Sequence, residues 1–184
     1  MLEDNNLIEL THIENRLWTP IRTKPKKEKK LAEYCEKHGL LYYLPLIKSV
    51  KRYERKTVVF YPPMFAGYIF CNIGHEIYKE LLKSHDIFFK VDVNETIEKQ
   101  LIIDLQNIRI IELSQKNDIQ ILIKPELIAG SPIKIISGPL KGATGVIKKR
   151  ENVYSVYVNI ELLGQCIEVN LDIGEIDFYK PEEE

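Results

Sequence analysis

The sequence has few cysteines, and its plentiful Asp, Glu and His residues do not form a recognisable catalytic or metal-binding pattern. Its three cysteines are an odd number without a CxxC pair, so the sequence indicates neither a disulfide framework nor a zinc ribbon. Cys35 and His38 lie one helical turn apart, but no second pair of metal ligands accompanies them, and burial on an apolar helix face explains them better. No nucleophile with a base and no carboxylate pair occurs at a telling spacing. We therefore expect no enzyme activity, no metal and no cofactor.

The chain also lacks a hydrophobic run of the ~20 residues that are needed to cross a bilayer. Its first fifteen residues are polar and acidic, which does not fit a secretory signal peptide. Reduced, buried thiols agree with these two absences. We expect a cytoplasmic protein that does not bind a membrane.

The formal net charge of the chain is only −1, but its charged residues are distributed unevenly along the sequence. Between Arg22 and Lys56 twelve Lys and Arg residues stand against four Glu, a net charge of +8, whereas the segment from Glu161 onward is acidic. Several of these lysines fall in the first turns of a predicted helix, where cations oppose the helix dipole. A nearby polyanion and a merely solvated face both explain that placement. The asymmetry favours a nucleic-acid neighbour for the front half.

Residue patterns predict an α+β front domain, an antiparallel sheet with flanking helices. An apolar stripe of helical spacing follows Pro25 and ends before Gly39, and two further helices are predicted at 77–82 and 95–113. The strongest predicted strands are 16–23 and 64–73, and Pro20 indicates an edge or a bulge in the first of them. We place an extension at 1–15, this domain at 16–113, and a linker with a polar head at 114–129.

The most specific stretch is GSPIKIISGPLKGATGVIKK, which begins at Gly130. Ile133 and Ile135 alternate with a lysine as in a half-buried strand. Gly138 marks a turn, and Gly142 and Gly145 are expected to adopt positive φ. The spacing does not match a phosphate-binding loop, and a strand follows it instead of a helix.

This stretch resembles the KOW motif, in which a glycine-shaped loop belongs to a small β-barrel that docks on protein or RNA. Three more strand-like runs follow at 153–160, 166–171 and 176–179. Residues 130–181 are therefore predicted to form a small all-β KOW barrel. The strong β-pattern of these runs predicts a permanent barrel.

The front half resembles the NusG family of transcription elongation factors, and with the KOW unit the resemblance covers nearly the whole chain. WTPIRTKPKKEKK is similar to the opening strand and basic first helix of the family, YYLPLIK to its second strand, and PPMFAGYIF to its signature run. Each fragment is weak alone. Their order, with a KOW unit at the expected distance, makes them jointly specific.

The resemblance implies an RNA polymerase adaptor that is not an enzyme. The front domain of such proteins binds the clamp helices of the largest polymerase subunit and suppresses pausing. Four aromatic residues match that surface by position, with Phe65 and Tyr68 favoured as contacts, although filling the core explains the aromatics as well: Trp18, Phe65, Tyr68 and Phe70. Five lysines match the surface that faces upstream or non-template DNA: Lys24, Lys26, Lys27, Lys79 and Lys83.

In the barrel, Ile160, Leu162 and Leu163 stand where family members hold an aromatic that binds either the termination factor Rho or a small-subunit ribosomal protein. Leucine there puts Rho binding in doubt. Thr19-Pro20, Ala66 and the heavy basic run resemble specialised paralogues of the RfaH-like or polysaccharide-operon antiterminator type. The expected function is elongation or antitermination, with the KOW domain recruiting a partner.

Two alternatives stay open. One is a housekeeping member that assists Rho-dependent termination. The other is a ribosome-associated, RNA-binding KOW protein, which predicts a basic barrel. The acidic segment from Glu161 favours a protein partner for the barrel instead.

Overall fold

Local sequence patterns account for most elements of the computed structural model, which describes residues 8–115, 121–125, 131–150, 153–171 and 178–179. The chain divides into two compact units, Met1–Ile102 and Ile103–Glu184. None of the helices in these ranges is long and apolar enough to span a membrane.

The first unit is an α+β domain. In chain order its elements are β1 (Leu17–Thr23), α1 (Glu28–Lys37), β2 (Tyr42–Tyr43), β3 (Ser49–Tyr53), β4 (Lys56–Phe60), β5 (Tyr68–Ile73), α2 (His75–Leu82), β6 (Ile87–Lys90) and the start of α3 (Glu95–Ser114). Four strands form an antiparallel sheet in the order β2-β5-β1-β6, and β3 and β4 form a separate two-stranded sheet.

The predicted edge position of the first strand is wrong, because β1 lies between β5 and β6. The strand tolerates Pro20 because the carbonyl of Pro20 accepts from the N–H of Val91 at 2.9 Å, beyond the last residue of β6. In a strand the N–H and C=O of one residue point to the same side, so the missing N–H faces the end of β6 and not β5. Pro20 itself pairs in regular register with Phe70, and the register against β6 shifts two residues further on, between Arg22 and Thr23.

One face of the four-stranded sheet packs against α1 and α2. Ile21 and Ile69 point to this face and join Leu31 and Cys35 of α1 and Leu81 of α2 in one buried cluster. The stripe predicted from the spacing of apolar residues on α1 therefore faces the sheet.

The strand predicted at 64–73 is shorter than expected, because β5 begins only at Tyr68. Gly67 has φ of +82° and interrupts the extended backbone before it. Its N–H donates to Oε1 of Glu28 at 2.5 Å, and its carbonyl accepts from the N–H of Thr23 at 2.9 Å. Residues 64–67 thus form a turn that is tied to α1 and β1.

The second unit contains a six-stranded antiparallel sheet. Its strands are β7 (Ile121–Pro125), β8 (Ser131–Ile135), β9 (Thr144–Arg150), β10 (Val153–Ile160), β11 (Gln165–Leu171) and β12 (Phe178–Tyr179), in the order β12-β8-β9-β10-β11-β7. The end of α3 belongs to this unit. The side-chain amide of Asn107 donates to Oγ1 of Thr144 at 2.9 Å and accepts from its N–H at 3.0 Å.

The segment predicted as a linker, 114–129, contains β7. Ile121–Pro125 pairs with β11 along its length, from Ile121 opposite Val169 to Pro125 opposite Gln165. The sequence predicted a linker because the segment begins with polar residues, although the β-branched residues that follow them favour a strand. At least these five residues belong to a sheet.

The turn glycines play two different roles. Gly138 has φ of +75° and Gly142 has φ of +95°, as expected for turn positions. The positive φ expected for Gly145 is wrong, since this residue lies within β9. A Cβ atom there would lie 2.5 Å from the carbonyl oxygen of Tyr157. Gly145 is needed because a neighbouring backbone approaches closely.

Candidate functional site

Three side chains stand in a row across the first sheet, on the face opposite α1 and α2. Arg22 on β1 is directly opposite Tyr68 on β5 and directly opposite Phe89 on β6. Directly opposed residues project to the same face of a sheet. The guanidinium carbon of Arg22 lies 4.6 Å from the centre of the Tyr68 ring. We call Tyr68, Arg22 and Phe89 the aromatic row.

The row is accessible and held in place. Phe89 is 52% exposed, and Tyr68 and Arg22 are half-buried. Nη1 of Arg22 donates to the carbonyl of Ala66 at 3.1 Å. A Cβ atom on Gly67 would lie 2.6 Å from that same nitrogen, so the glycine leaves room for the guanidinium. Stacking and a hydrogen bond together fix the arginine over the tyrosine.

The other three aromatics that were predicted as polymerase contacts are buried. Trp18 and Phe70 are 0% exposed and Phe65 is 1% exposed. The Phe65 and Phe70 rings meet edge to face with centroids 6.1 Å apart, and Tyr43 lies 6.5 Å from Phe70. Of the four predicted residues, Tyr68 alone has a partly exposed side chain. The filling of the core by the other three is the interpretation that the structure favours.

Trp18 is held by a buried carboxylate from α3. The N–H of Trp18 donates to Oε1 of Glu98 at 2.7 Å, and Nδ1 of His12 lies 2.6 Å from Oε2 of the same side chain. The indole N–H donates to the carbonyl of Thr11 at 2.9 Å. Glu98 is 1% exposed, so these hydrogen bonds satisfy a carboxyl group that water does not reach. The start of β1, α3 and the N-terminal segment are thereby joined.

Sequence reasoning missed Arg22 and Phe89. The doublet Phe88-Phe89 was the available signal, because two adjacent aromatics cannot both face the core of a regular strand. Phe88 is 62% exposed and Phe89 is 52% exposed. Their partners could not be identified from sequence, since that requires the register between β1 and β6.

The lysines predicted to contact DNA fall into two groups. Lys24 and Lys26 are exposed between β1 and α1, and Lys27 is half-buried beside them. Lys27 lies 3.8 Å from Oδ1 of Asp86, whose other oxygen lies 3.0 Å from Lys30. Within the described residues, Lys24 and Lys26 have no ion pair. Their charge is therefore available to a polyanion.

The two lysines of α2 already have acidic neighbours. Lys79 bonds to Glu76 at 3.0 Å and Lys83 bonds to Glu80 at 2.5 Å. The hydrogen bond from Lys83 holds the pKa of Glu80 below its ordinary value, and the same bond raises the pKa of Lys83. Charges paired in this way offer less attraction to phosphate than free ones.

Cys35 and His38 are used separately. The thiol of Cys35 forms a hydrogen bond with that of Cys71, and this bond, followed by burial, raises the pKa of Cys71 well above its ordinary value. The ring of His38 stacks on Tyr34 with centroids 4.2 Å apart. Burial on the apolar face of α1 is confirmed for Cys35, whereas the same expectation is wrong for His38, which follows the last residue of α1 and is exposed.

In the second unit, the residues predicted to bind a partner lie around a short turn. Glu161–Leu163 forms a 3-10 helix between β10 and β11, and Gly164 closes it with φ of +59°. Leu162 and Leu163 are half-buried at this turn. Ile160 is 0% exposed and belongs to the core of the sheet. Two leucines are thus available at the surface, and the isoleucine supports them.

Comparison with known proteins gives a family match over the front half. The model of a family described as NusG, transcription termination factor, matches residues 16–115. A comparison with curated proteins found no match.

Three solved structures align along most of the chain. NusG of Thermotoga maritima, solved for its domain interaction, aligns at 20% identity over 91% of this chain and 98% of its own, with a TM-score of 0.46. A chain of the MjSpt4:Spt5 complex in conformation B aligns at 16% identity over 91% of this chain and 100% of its own, with a TM-score of 0.26. Conformation A gives 18% identity, 90% and 100% coverage and a TM-score of 0.25.

Proposed function

Because this chain belongs to the NusG family of transcription factors, we propose that it binds the clamp helices of the largest RNA polymerase subunit and suppresses pausing. The aromatic row is the observation that carries the proposal. It places two aromatic rings and one guanidinium on the open part of the first sheet. Aromatic and arginine side chains dominate the binding energy of many protein interfaces.

The row has the chemistry needed to bind a helical pair. Phe89 offers an apolar ring, and Tyr68 offers a ring covered on one side by Arg22. Helices dock by laying apolar side chains into such surfaces, while a charged rim sets their orientation. Trp18, Phe65 and Phe70 are buried in the core of the first unit. The carbonyl of Phe65 accepts from the N–H of Tyr68 at 3.0 Å, so Phe65 helps to position Tyr68 instead of contacting the partner itself.

Pause suppression follows from differential affinity. An adaptor that binds the closed clamp better than the open one shifts the equilibrium toward the closed state by that difference alone. A preference of about 1.4 kcal/mol changes the ratio of the two states tenfold. No catalytic group is required of this chain.

Binding to an isolated clamp-helix fragment tests the assignment. We expect Tyr68→Ala and Phe89→Ala in the full chain each to weaken binding by roughly tenfold, the usual size for an interface anchor. Tyr53→Ala is the matched control, since Tyr53 is 57% exposed on the separate β3–β4 sheet. Equal affinity of all four proteins, with unchanged thermal unfolding, would remove the basis of the proposal.

We further propose that Lys24, Lys26 and Lys27 contact upstream or non-template DNA through its phosphates. Two features support this contact: the position of the three lysines in the loop before α1, and the lack of an ion pair at Lys24 and Lys26 among the residues that the structure describes. Lys79 and Lys83 contribute less because of their ion pairs. Replacing the first group by glutamine should lower DNA affinity more than replacing the second, and the salt dependence should fall accordingly.

For the second unit we propose a KOW barrel over 130–181 that recruits a protein partner through Leu162 and Leu163. The predicted limits 16–113 and 114–129 remain part of this proposal, with two differences from the observed units: β7 extends the sheet of the barrel by pairing with β11, and the end of α3 from Ile103 groups with the second unit. Two leucines at a closed turn offer an apolar contact, and the acidic segment from Glu161 disfavours RNA.

The partner that we infer is a small-subunit ribosomal protein, as in antitermination by a specialised paralogue. The alternative is Rho. In a reconstituted elongation reaction that contains Rho, we expect the protein to leave termination unchanged or to reduce it. Enhanced termination would identify the chain as a housekeeping member.

A further inference from the structure

The β3–β4 hairpin is an exposed element of the first unit. Ser49–Tyr53 and Lys56–Phe60 pair with each other across the two-residue turn of Glu54 and Arg55 and form a sheet of their own. Every residue from 50 to 59 is exposed. Val50 and Val59, which face each other, are each 47% exposed.

A hairpin of this kind is marginally stable alone in water. Its apolar side chains are left outside the core that stabilises the rest of the unit. The side chain of Lys51 partly covers the ring of Phe60, at 5.2 Å from its centre. Such an exposed element is suited to a partner that contacts it from both sides.

The hairpin is strongly basic. From Ser49 to Phe60 it carries Lys51, Arg52, Arg55 and Lys56 against the single acid Glu54, a net charge of +3. Within the described part of the chain, Arg52, Arg55 and Lys56 have no ion-pair partner. A concentrated charge without local compensation favours a polyanion.

The cations are distributed around the hairpin. Lys56 is opposite Tyr53, and Lys51 lies two residues from Tyr53, so these three share one face. Arg52 is opposite Thr57 on the other face, and Arg55 is in the turn. Positive charge on both faces and at the tip complements a partner with negative charge on both sides. A flat anionic surface would meet one face only.

We propose that the β3–β4 hairpin inserts into the major groove of duplex DNA. This groove is wide enough for a two-stranded β-ribbon, and phosphates border it on both sides. Arg52 and the Lys51–Lys56 face then reach opposite strands, and the exposed valines and Tyr53 contact base edges and sugars. A single strand would instead need a platform of stacked aromatic rings, and only Tyr53 and Phe60 are available here.

This contact is separate from the one proposed for the lysines before α1, and it requires no polymerase. Failure of the clamp-helix experiment would leave it intact. Conversely, the finding that the hairpin does not bind DNA would not affect the proposal that the aromatic row binds the clamp helices.

The first experiment measures binding of the full chain to a fluorescent 30-base-pair duplex as a function of salt. We expect Arg52→Gln/Arg55→Gln/Lys56→Gln to lower affinity about tenfold or more, and to reduce the slope of log affinity against log salt by about 3, one for each lost phosphate contact. The matched control removes three cations from the second unit: Lys134→Gln/Lys141→Gln/Lys148→Gln. It should retain the slope.

The second experiment identifies the groove. Dimethyl sulfate methylates guanine N7, which lies in the major groove. The wild-type chain should protect guanines in the bound duplex, and the hairpin variant, at concentrations that restore binding, should not. The single variant Arg55→Gln, in the turn, provides a milder change and should lower the slope by about 1.

Three outcomes would overturn the proposal. In the first, the hairpin variant and the control lose the same affinity, which indicates attraction by net charge. In the second, the hairpin variant loses affinity for single strands or RNA but not for the duplex. In the third, the duplex is bound through the hairpin without protection of N7, which places the contact elsewhere on the DNA.

Discussion

Cys71 and Asn72 are neighbours on β5 whose side chains face opposite sides of the sheet, and their polar groups are treated differently. The thiol of Cys71 is buried, and it forms a hydrogen bond with the free thiol of Cys35. The amide of Asn72 is 0% exposed, and neither its nitrogen nor its oxygen has a hydrogen-bond partner in the described structure. An unsatisfied buried amide costs stability, so the two positions should respond differently to change.

We expect Asn72→Leu to raise the free energy of unfolding by about 1–2 kcal/mol. The leucine has similar volume and removes two unsatisfied polar atoms. Chemical denaturation measures the effect. Asn72→Ala is the control, since it removes the same atoms but leaves a cavity and should not stabilise. A leucine variant that unfolds more easily than the wild type would mean that the amide has a partner.

The raised pKa of Cys71 predicts a loss of stability in alkali. The folded state favours the neutral thiol. The stabilisation that this preference gives is therefore complete below the ordinary thiol pKa of about 8.5, and it is lost as pH rises toward the higher pKa of the folded state. We expect the free energy of unfolding of the wild type to fall more steeply above that pH than that of Cys71→Ala. Parallel curves for the two proteins would contradict the shift.

At the scale of elements, the turn before β5 positions the aromatic row. Glu28, 8% exposed in the first turn of α1, accepts from the N–H of Gly67, directly before Tyr68. We expect Glu28→Ala to destabilise the first unit by about 1–3 kcal/mol and to weaken clamp-helix binding, because a buried N–H loses its acceptor. Glu28→Gln keeps an acceptor oxygen and should retain most of both. If alanine and glutamine gave the same small loss, the turn would not depend on this bond.

Gly145 makes a corresponding prediction for the second sheet. A methyl group there meets the Tyr157 carbonyl, so Gly145→Ala should cost about 1–3 kcal/mol by forcing β9 and β10 apart. Gly164→Ala meets nothing within 4 Å and tests positive φ alone, with an expected cost of about 1 kcal/mol. Hydrogen exchange of the β9 and β10 amides reports the difference. Equal protection in wild type and Gly145→Ala would contradict the close approach.

Elements set by local patterns were predictable, and those set by pairing were not. The helices at 28–37, 75–82 and 95–114 follow from the spacing of apolar residues, which is a local signal. The internal position of β1 depends on its pairing with β6, from Ile21 opposite Lys90 to Thr23 opposite Ile87, and the sequence offered only Pro20 as a guide. Arg22 entered the candidate site for the same reason, since register alone places it between Tyr68 and Phe89.

At the scale of the whole molecule, the chain joins a basic α+β unit to a second unit that contains the six-stranded sheet, the end of α3 and an acidic C-terminal segment. The first carries the aromatic row, the lysines before α1 and the basic hairpin, and the second carries the leucine turn. This division suits an adaptor whose first unit binds polymerase and DNA and whose second unit recruits a protein.

Transcription through a defined pause site tests the central claim most directly. The measurement is the pause half-life of reconstituted RNA polymerase with the wild-type chain or with the folded double variant Tyr68→Ala/Phe89→Ala. We expect the wild type to shorten the pause and the double variant to leave it as it is without the protein. If the double variant shortens the pause as well as the wild type does, the aromatic row is not the surface that acts on the polymerase.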